Sequence, residues 1–332
     1  MSRLIWFLLI VATLISGCSS GKKRLKVDVS GISVEQVVIH RYDLDLFNRV
    51  HPDLIDHLNS LQPRYSFFLG TDLNDSARLA QMDSYLSSQV NLDFLLAVRE
   101  RLSSLKALEQ NLTEVFRYIR YYFPDFRQPQ VYSYISGGDY LRPVQYVDTV
   151  LLIGLDSYLG ADYEPYTSDG VPRYRIQRMT PEFIIPDCMN AMAEVIYPPS
   201  EPGNTLLDYF IEAGKRLYLA DAFAPDLPDR FKIGYSEEQY NWMVRNEKHI
   251  WAAILSNKML YASESRLVRM FLSDGPFTAD FTQESPPRMG QWIGWQIVSG
   301  YMEGHPEISM EQLLNEKDSQ KILTKSGYKP GL

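Results

Sequence analysis

The chain has 332 residues, with 33 Lys and Arg against 41 Asp and Glu, which gives a formal net charge of −8. An apolar share of 45% beside 22% charged residues is typical of a globular protein and excludes a disordered or polytopic membrane chain. The acidic balance argues against a nucleic-acid partner, because phosphate binding needs a basic surface. Two cysteines and five histidines exclude a disulfide scaffold and leave little material for a histidine-rich metal site.

The amino terminus carries the most specific signal in the sequence. An apolar run over residues 4–15 is too short to span a bilayer, which takes roughly 20 residues, but it suits the core of an export signal. It leads into Leu14-Ile15-Ser16-Gly17-Cys18, which resembles the bacterial lipobox. The resemblance implies that residues 1–17 are removed and that Cys18 is acylated and holds the protein on a lipid membrane. An ordinary signal peptide that happens to contain a cysteine is the alternative.

Residues 18–26 then form a short tether with four basic residues, Lys22, Lys23, Arg24 and Lys26. We expect this segment to be a solvated spacer, although its charges could also lie against anionic headgroups. A lipid on Cys18 would leave Cys188 without a disulfide partner. The globular part is therefore predicted to begin at residue 27.

The first half of the globular part is predicted to combine strands with a helical layer. Residues 34–42 are rich in β-branched side chains and predict a strand. Residues 43–126 follow the spacing of amphipathic helices, the last of which Pro124 ends. Two further strands are predicted over 130–136 and 149–156, and the second is almost continuously apolar, which indicates a central position in the sheet.

A segment rich in Tyr, Asp, Gly and Pro at 158–180 predicts a long loop, and loops of that length are often functional. Helices are expected over 181–197, 204–222, 236–257, 263–271 and 289–302, followed by a pair that begins at Ser309, where Gln312 completes a capping box. No linker or repeat divides 27–332. The sequence therefore predicts one α+β domain, predominantly α-helical, with a small sheet of three or four strands.

Sequence motifs for the common catalytic and metal sites are missing. The five histidines are His40, His51, His57, His249 and His305, and no two are four apart, as a His-Glu-x-x-His helix requires. Neither a Gly-x-Ser-x-Gly elbow nor a phosphate-binding glycine loop occurs. Cys188 has no neighbouring His to lower its pKa and is expected to be a buried thiol. We therefore predict no metal and no cofactor.

Two of the predicted helices carry unusual residues. In 204–222, Gly214 lies within the apolar stripe, where it would let another helix approach closely, while Glu212 and Arg216 are expected to form a solvated pair. The helix 289–302 carries Trp292 and Trp295 beside two glycines. These tryptophans could pack in the interior or form a surface that faces a partner protein, since Trp is frequent at binding hot spots.

Several segments together resemble the gliding-motility lipoprotein family GldB. They are the lipobox, TVLLIGLD at 149–156 running into YLG at 158–160, IIPD at 184–187, GKRLYLAD at 214–221 and PRMGQWIGWQIV at 287–298. The resemblance implies a lipid-anchored cell-envelope protein of the Bacteroidetes, linked with gliding motility, with other envelope or motility and secretion proteins as partners. Exported surface lipoproteins of these bacteria carry acidic residues after the cysteine, so the basic tether favours a periplasm-facing protein.

The GldB family is in turn similar in layout to gluzincin-type zinc peptidases. In that comparison, residues 187–191 fall where His-Glu-x-x-His would lie, and Glu212 falls near the third metal ligand. Because the first helix has no His, the resemblance implies a degenerate peptidase-like fold and a non-catalytic protein, with Asp187, Glu212 and Lys215 as remnants of the cleft. Partners are expected to dock on this cleft or on Trp292 and Trp295.

Two alternative functions stay open from the sequence. One is a periplasmic zinc-peptidase-like hydrolase with a non-standard site. The other is a periplasmic module that binds a peptide or a carbohydrate and uses the segment 158–180 as the lip of its site.

Overall fold

The computed structural model describes residues 24–199, 203–278 and 281–330. The predicted signal peptide and Cys18 lie outside these residues. The strands are β1 (Ile39–Arg41), β2 (Gln130–Tyr134), β3 (Val144–Val147) and β4 (Val150–Gly154). The helices of the amino-terminal half are α1 (Tyr42–Asp45), α2 (Leu54–Leu69), α3 (Ser76–Ser87), α4 (Gln89–Arg101) and α5 (Lys106–Tyr122).

The helices that follow the sheet belong to the carboxyl-terminal half of the chain. They are α6 (Glu164–Ser168), α7 (Arg173–Ile176), α8 (Ile184–Ile196), α9 (Leu206–Phe223), α10 (Asp229–Ile233), α11 (Glu237–Ser256), α12 (Ser265–Leu272), α13 (Met289–Gly304), α14 (Met310–Asn315) and α15 (Ser319–Ser326). Short 3₁₀ turns precede α6 and α8, at Leu155–Ser157 and Pro181–Phe183. The predicted fold class, α+β and mostly helical, is confirmed.

The four strands form one sheet in the order β1-β2-β4-β3. Strands β1, β2 and β4 are parallel, and β3 is antiparallel to β4. All five residues of β4 are buried, which confirms its predicted central position. Strand β1 is shorter than the predicted strand 34–42, because the backbone before it binds helix α5 instead: the Val37 amide donates to the Thr113 hydroxyl at 2.9 Å. Strand β3 was not predicted.

Helices cover both faces of the sheet, as a largely parallel sheet requires. Because side chains alternate along a strand, Val131, Leu151 and Ile153 point into the main core with the carboxyl-terminal helices. Tyr132 and Leu152 point the other way, into a smaller cluster under α1, α2 and α3. The main core takes residues from both ends of the described chain.

Helices α9 and α13 cross at two glycines, Gly214 and Gly294. A Cβ on Gly294 would lie 1.7 Å from the carbonyl oxygen of Phe210, and one on Gly214 would lie 2.2 Å from the carbonyl oxygen of Gly294. Neither position has room for any side chain. The prediction that Gly214 allows a close helix approach is confirmed.

The two tryptophans of α13 lie inside the protein. Trp292 is 3% exposed and Trp295 is fully buried, and their rings meet edge to face with centroids 5.9 Å apart. The prediction that they form a partner-facing surface is therefore wrong, because other helices cover both tryptophan side chains. Interior packing, the other interpretation of this helix, is confirmed.

The end of the predicted tether belongs to the folded domain. The Arg24 guanidinium donates hydrogen bonds to the carbonyl oxygens of Met302, His305 and Ile308, at the carboxyl end of α13. A cation at this end of a helix also interacts favourably with the helix dipole. Leu25 is 2% exposed and packs in the main core. The prediction of a solvated spacer is wrong for Arg24 and Leu25, which belong to the folded domain, whereas Lys26 is exposed.

We predict that Gly294→Ala lowers the free energy of unfolding by more than about 2 kcal/mol, because the new methyl group would overlap the backbone of α9. Gly304→Ala is the matched control on the same helix, since its methyl group would lie 3.9 Å from the nearest atom, the Lys325 carbonyl oxygen. This control should leave stability unchanged or raise it by up to about 1 kcal/mol. Urea denaturation measures both, and equal effects of the two substitutions would contradict the glycine crossing.

Candidate binding site at the carboxyl edge of the sheet

Polar side chains collect where the parallel strands end. Ligands of open α/β sheets usually bind at this edge, so its side chains are candidates for a binding site. Asp43 follows β1, is almost fully buried and accepts hydrogen bonds from Arg41 and from the Ser133 hydroxyl. Asp156 follows β4 and accepts from the Ser136 amide and hydroxyl, both at 2.7 Å. Both carboxylates are hydrogen-bonded to neighbouring residues of the protein, and these bonds fix the ends of the strands.

Burial raises the pKa of Asp156, and its hydrogen bonds from Ser136 and Gly138 oppose that rise. The same carboxylate positions the turn after β2, because it binds the backbone amides of both residues. We therefore assign Asp156 a structural role.

Two cavities flank this edge of the sheet. The larger, of about 430 Å³, lies in the smaller core cluster and is mainly apolar, with walls that include Tyr42, Leu46, Phe68, Leu73, Met82 and Tyr85. The second, of about 250 Å³, is polar, and we name it the Asp187 pocket after its predicted site residue. Its polar walls are Tyr140, Ser157, Tyr158, Arg175, Arg178, Asp187 and Asp274.

Four elements bring the walls of the Asp187 pocket together. Ser157 and Tyr158 follow β4, Arg175 and Arg178 come from α7 and the turn after it, Asp187 lies in the first turn of α8, and Asp274 follows α12. The segment 158–180 is thus a wall of the pocket. It is also more ordered than the predicted loop, because it folds into α6 and α7 and buries Tyr166, whose hydroxyl binds the backbone on both sides of Tyr158.

Asp187 is held by a tyrosine and surrounded by arginines. The Tyr158 hydroxyl donates to Asp187 Oδ2 at 2.6 Å. Burial raises the pKa of Asp187 to about 6, against the opposing effects of the Tyr158 hydrogen bond and of the charges on Arg178 and Arg288. A pKa of about 6 is high for an aspartate, whose usual value is about 3.9.

The Asp274 carboxylate forms ion pairs with two of the arginines beside the pocket. Arg178 Nη2 lies 2.5 Å from Asp274 Oδ2, and Arg288 Nε lies 3.3 Å from Asp274 Oδ1. Arg288 immediately precedes α13 with a left-handed backbone (φ 59°), and its guanidinium also donates to the Gly234 carbonyl oxygen at 3.0 Å. Gly234 itself has φ 71°, and a Cβ there would approach Arg288 and Arg178 to 3.2 and 3.3 Å. A glycine at this position leaves room for both arginines.

Arg175 differs from the other two arginines. Within the part of the chain that the structure describes, no carboxylate lies within ion-pair distance of its guanidinium. It nevertheless lines the same pocket. Its charge is available to a ligand.

Glu212 and Lys215 lie together, and neither is among the walls of the Asp187 pocket. Lys215 Nζ is 3.1 Å from Glu212 Oε1, the Tyr197 hydroxyl donates to Glu212 Oε2 at 2.6 Å, and Lys215 also donates to the Glu316 carbonyl oxygen at 2.5 Å. The predicted solvated pair of Glu212 with Arg216 is wrong: the partner is Lys215, and both side chains are buried. The three residues predicted as one cleft are thus divided between two places.

The ionisation of this pair follows from its surroundings. Burial alone would raise the pKa of Glu212, but the Tyr197 hydrogen bond and the Lys215 charge outweigh it and hold that pKa below its usual value. Burial lowers the pKa of Lys215, and Glu212 opposes that shift. Over the residues described, no group of three or more His, Cys, Asp and Glu side chains is arranged to hold a metal ion. Cys188 is fully buried, as predicted.

The family model for gliding motility protein GldB matches residues 22–330. The chain belongs to the GldB family. The matched range nearly coincides with the folded residues and includes Arg24, in agreement with the domain boundary that its hydrogen bonds indicate. No curated protein and no solved structure matches the chain. In the described ranges we find no helix with the length and apolar character needed to cross a bilayer.

Sequence reasoning found only part of the site around Asp187. It singled out Asp187 and the segment that carries Tyr158, Arg175 and Arg178. It missed Ser157 and Asp274, which come from separate elements and share no spacing motif with Asp187. Arg288 was within the segment 287–298 that carries the GldB resemblance, but nothing in its neighbours along the chain indicates that it lies beside Asp187.

We predict that Asp187→Asn makes stability less dependent on pH. The pKa of Asp187 is about 6 in the folded state, compared with about 3.9 in the unfolded chain, so the folded state holds more protons between these values. The free energy of unfolding should therefore fall by up to about 3 kcal/mol as the pH rises from about 4 to about 6. Asn keeps an oxygen that accepts from Tyr158 but does not ionise.

Chemical denaturation of both proteins at pH 4.5, 6 and 7.5 measures this effect. The variant should gain stability relative to the parent at pH 7.5. Asp125→Asn, at an exposed position, is the matched control and should follow the parent curve. Parallel curves for Asp187→Asn and the parent would contradict the burial of an ionised carboxylate.

Proposed function

We propose that this GldB-family protein is non-catalytic, is anchored to a membrane of the cell envelope by a lipid on Cys18, and faces the periplasm. It acts through contacts with other proteins of the envelope, including motility and secretion proteins. Family membership supports a gliding-motility protein of the GldB type, and the lipobox supports the anchor.

The observation that best supports the non-catalytic role is that the Glu212 carboxylate is hydrogen-bonded inside the fold. In the zinc-peptidase comparison this residue falls near the third metal ligand. Here both of its carboxylate oxygens are hydrogen-bonded, one to Lys215 and the other to Tyr197. A metal ion at Glu212 would have to displace a buried ammonium group, which would then be left with an uncompensated charge. The relation to gluzincins stays a prediction.

A second candidate function is a module that binds a peptide or a carbohydrate. The Asp187 pocket supports it, because it combines a preformed cavity with convergent polar groups at the carboxyl edge of a parallel sheet. The segment 158–180 forms one wall of this pocket, as that alternative expects.

We predict that the full-length chain, purified in detergent, contains less than one equivalent of zinc and cleaves no member of a peptide library. Glu212→Gln should leave both results unchanged but lower the free energy of unfolding by about 2 kcal/mol or more, because Lys215 would lose its buried counter-charge. Elemental analysis, a cleavage assay and urea denaturation make the three measurements. Stoichiometric zinc together with peptide cleavage, both lost in Glu212→Gln, would establish the hydrolase instead.

We predict that Cys18→Ala moves the protein from the membrane fraction to the soluble fraction of cells that process lipoproteins. Several acyl chains on one residue anchor a protein stably, whereas one chain binds only weakly. Cys188→Ala is the matched control, since this thiol is buried in α8 and should have no part in anchoring. Incorporation of labelled fatty acid should disappear only in Cys18→Ala. Continued membrane association of that variant would contradict a lipid anchor.

A further inference from the structure

The apolar cavity of about 430 Å³ shares no wall residue with the Asp187 pocket, and we name it the Tyr42 cavity. Its walls come from the end of β2, from α1 and the residues after it, and from α2 and α3. Cavities of roughly 300–1,000 Å³ with mainly apolar walls are typical of small-molecule sites. The buried part of the wall is largely aliphatic and consists of Leu46, Leu58, Leu69, Leu73 and Ile135.

The Tyr42 side chain brings an unpaired hydroxyl to this cavity. Tyr42 is 6% exposed, and its hydroxyl makes no hydrogen bond to any residue that the structure describes. Unlike the unpaired hydroxyl oxygens of Tyr122 and Tyr218, which are sealed in the interior, the Tyr42 oxygen keeps accessible surface. Buried polar groups are nearly always hydrogen-bonded, so this hydroxyl points to a bound group that pairs with it.

Two further tyrosine hydroxyls lie near that of Tyr42 and also belong to the wall of the cavity. The Tyr85 hydroxyl donates to the Ile135 carbonyl oxygen at 2.6 Å, and the Tyr134 hydroxyl accepts from Gln145 at 3.2 Å. Burial raises the pKa of all three tyrosines, so their hydroxyls stay protonated and uncharged. The inner polar groups of the cavity therefore offer hydrogen bonds but no charge.

The charged residues of the wall lie at its exposed rim and are balanced. They are Asp72 and Arg78, and the Arg78 guanidinium already donates to the carbonyl oxygens of Leu69 and Asp72 at 3.0 and 3.4 Å. A charged group taken into the cavity would lose its hydration without gaining a counter-charge, which is costly. The balance of charge therefore favours an uncharged ligand.

The size and the walls of the cavity narrow the class of ligand. A cavity of about 150 Å³ holds the six carbons of benzene, so one of about 430 Å³ holds roughly 17 non-hydrogen atoms. A peptide brings an amide and a carbonyl group with every residue, and a sugar brings several hydroxyls. The apolar wall leaves most of these without a partner, which is unfavourable. A single aliphatic chain with one oxygen matches both the size and the walls.

We propose that the Tyr42 cavity binds an uncharged, single-chain amphiphile, whose aliphatic chain packs against the leucines and whose hydroxyl or carbonyl oxygen pairs with the Tyr42 hydroxyl. This inference goes beyond the proposed function and does not depend on it, because it concerns neither Glu212 nor Cys18 nor the Asp187 pocket.

Equilibrium dialysis of the full-length chain in lipid nanodiscs tests the inference, with protein-free nanodiscs as the blank. The probes are 1-hexanol, 1-octanol, 1-decanol, 1-dodecanol and dodecanoate at pH 7.5. We expect one equivalent of alcohol to bind per protein above the blank. The affinity should rise by up to about fourfold for each added CH₂ group, because each is transferred from water to the apolar wall. Dodecanoate should bind at least tenfold more weakly than 1-dodecanol.

Substitutions separate the cavity from binding elsewhere on the protein. Tyr42→Phe should weaken binding of 1-dodecanol severalfold without lowering the melting temperature, since the hydroxyl has no partner among the described residues. Tyr121→Phe, at a side chain that is 42% exposed, is its matched control. Met82→Trp fills part of the cavity and should weaken binding at least tenfold, whereas Leu96→Trp adds the same group at an exposed position of α4 and should leave the affinity unchanged.

Four results would overturn the inference. They are the absence of saturable binding above the blank for every alcohol, an affinity that does not change with chain length, binding of dodecanoate as tight as that of 1-dodecanol, and equal affinities of Met82→Trp and Leu96→Trp. Unchanged affinity in Tyr42→Phe would remove the hydrogen bond from the site and so contradict the proposal as well. The zinc, cleavage and fractionation measurements decide the proposed function separately.

Discussion

The close crossing of α9 and α13 is the contact on which the rest of the structure depends. At Gly214 and Gly294 the two helices touch through backbone atoms, and no other residue fits at either position. Helix α9 also packs against α5, α8, α10, α12, α14 and α15, so it is the central element of the helical half. Glycine in a helix interior costs about 0.5–1 kcal/mol relative to alanine. The large buried area of the Trp292 and Trp295 side chains around the crossing offsets this cost.

Helix α9 is buried on nearly every side and still carries charged residues. The buried charges of this helix are paired with other charged side chains. Glu212 pairs with Lys215, and Asp221 pairs with Lys232 at 2.5 Å. Such pairs add little stability relative to apolar residues, but removing one partner is strongly destabilising. In both interior pairs, each charged group therefore has its counter-charge inside the protein. The Asp187 pocket differs, because Arg175 lines it without a carboxylate partner among the described residues.

The sequence predicted those features that depend on neighbours along the chain. Capping residues such as Ser309 with Gln312 mark helix starts, and the apolar run of β4 marks the centre of the sheet, since both signals are local. Trp292 shares a helical face with Gln296, Ser299 and Glu303, so the spacing along α13 does not indicate that this face is covered, as it is by Tyr240 of α11. Arg175, Asp274 and Arg288 come to one region only through the packing of three separate helices. They are far apart along the chain, so no local sequence signal indicates that they lie close together.

Helix α13 also connects the proposed anchor with the proposed pocket. Arg24 binds the carbonyl groups at its carboxyl end, and Arg288 stands beside the Asp187 pocket at its amino end. Sixteen helical residues span about 24 Å. The chain from Cys18 to Arg24 can extend by at most about 21 Å. A lipid on Cys18 would therefore hold the pocket within about 45 Å of the bilayer surface. The lengths of α13 and of the tether together limit how far the pocket can lie from the membrane, because a longer helix or tether would increase that distance.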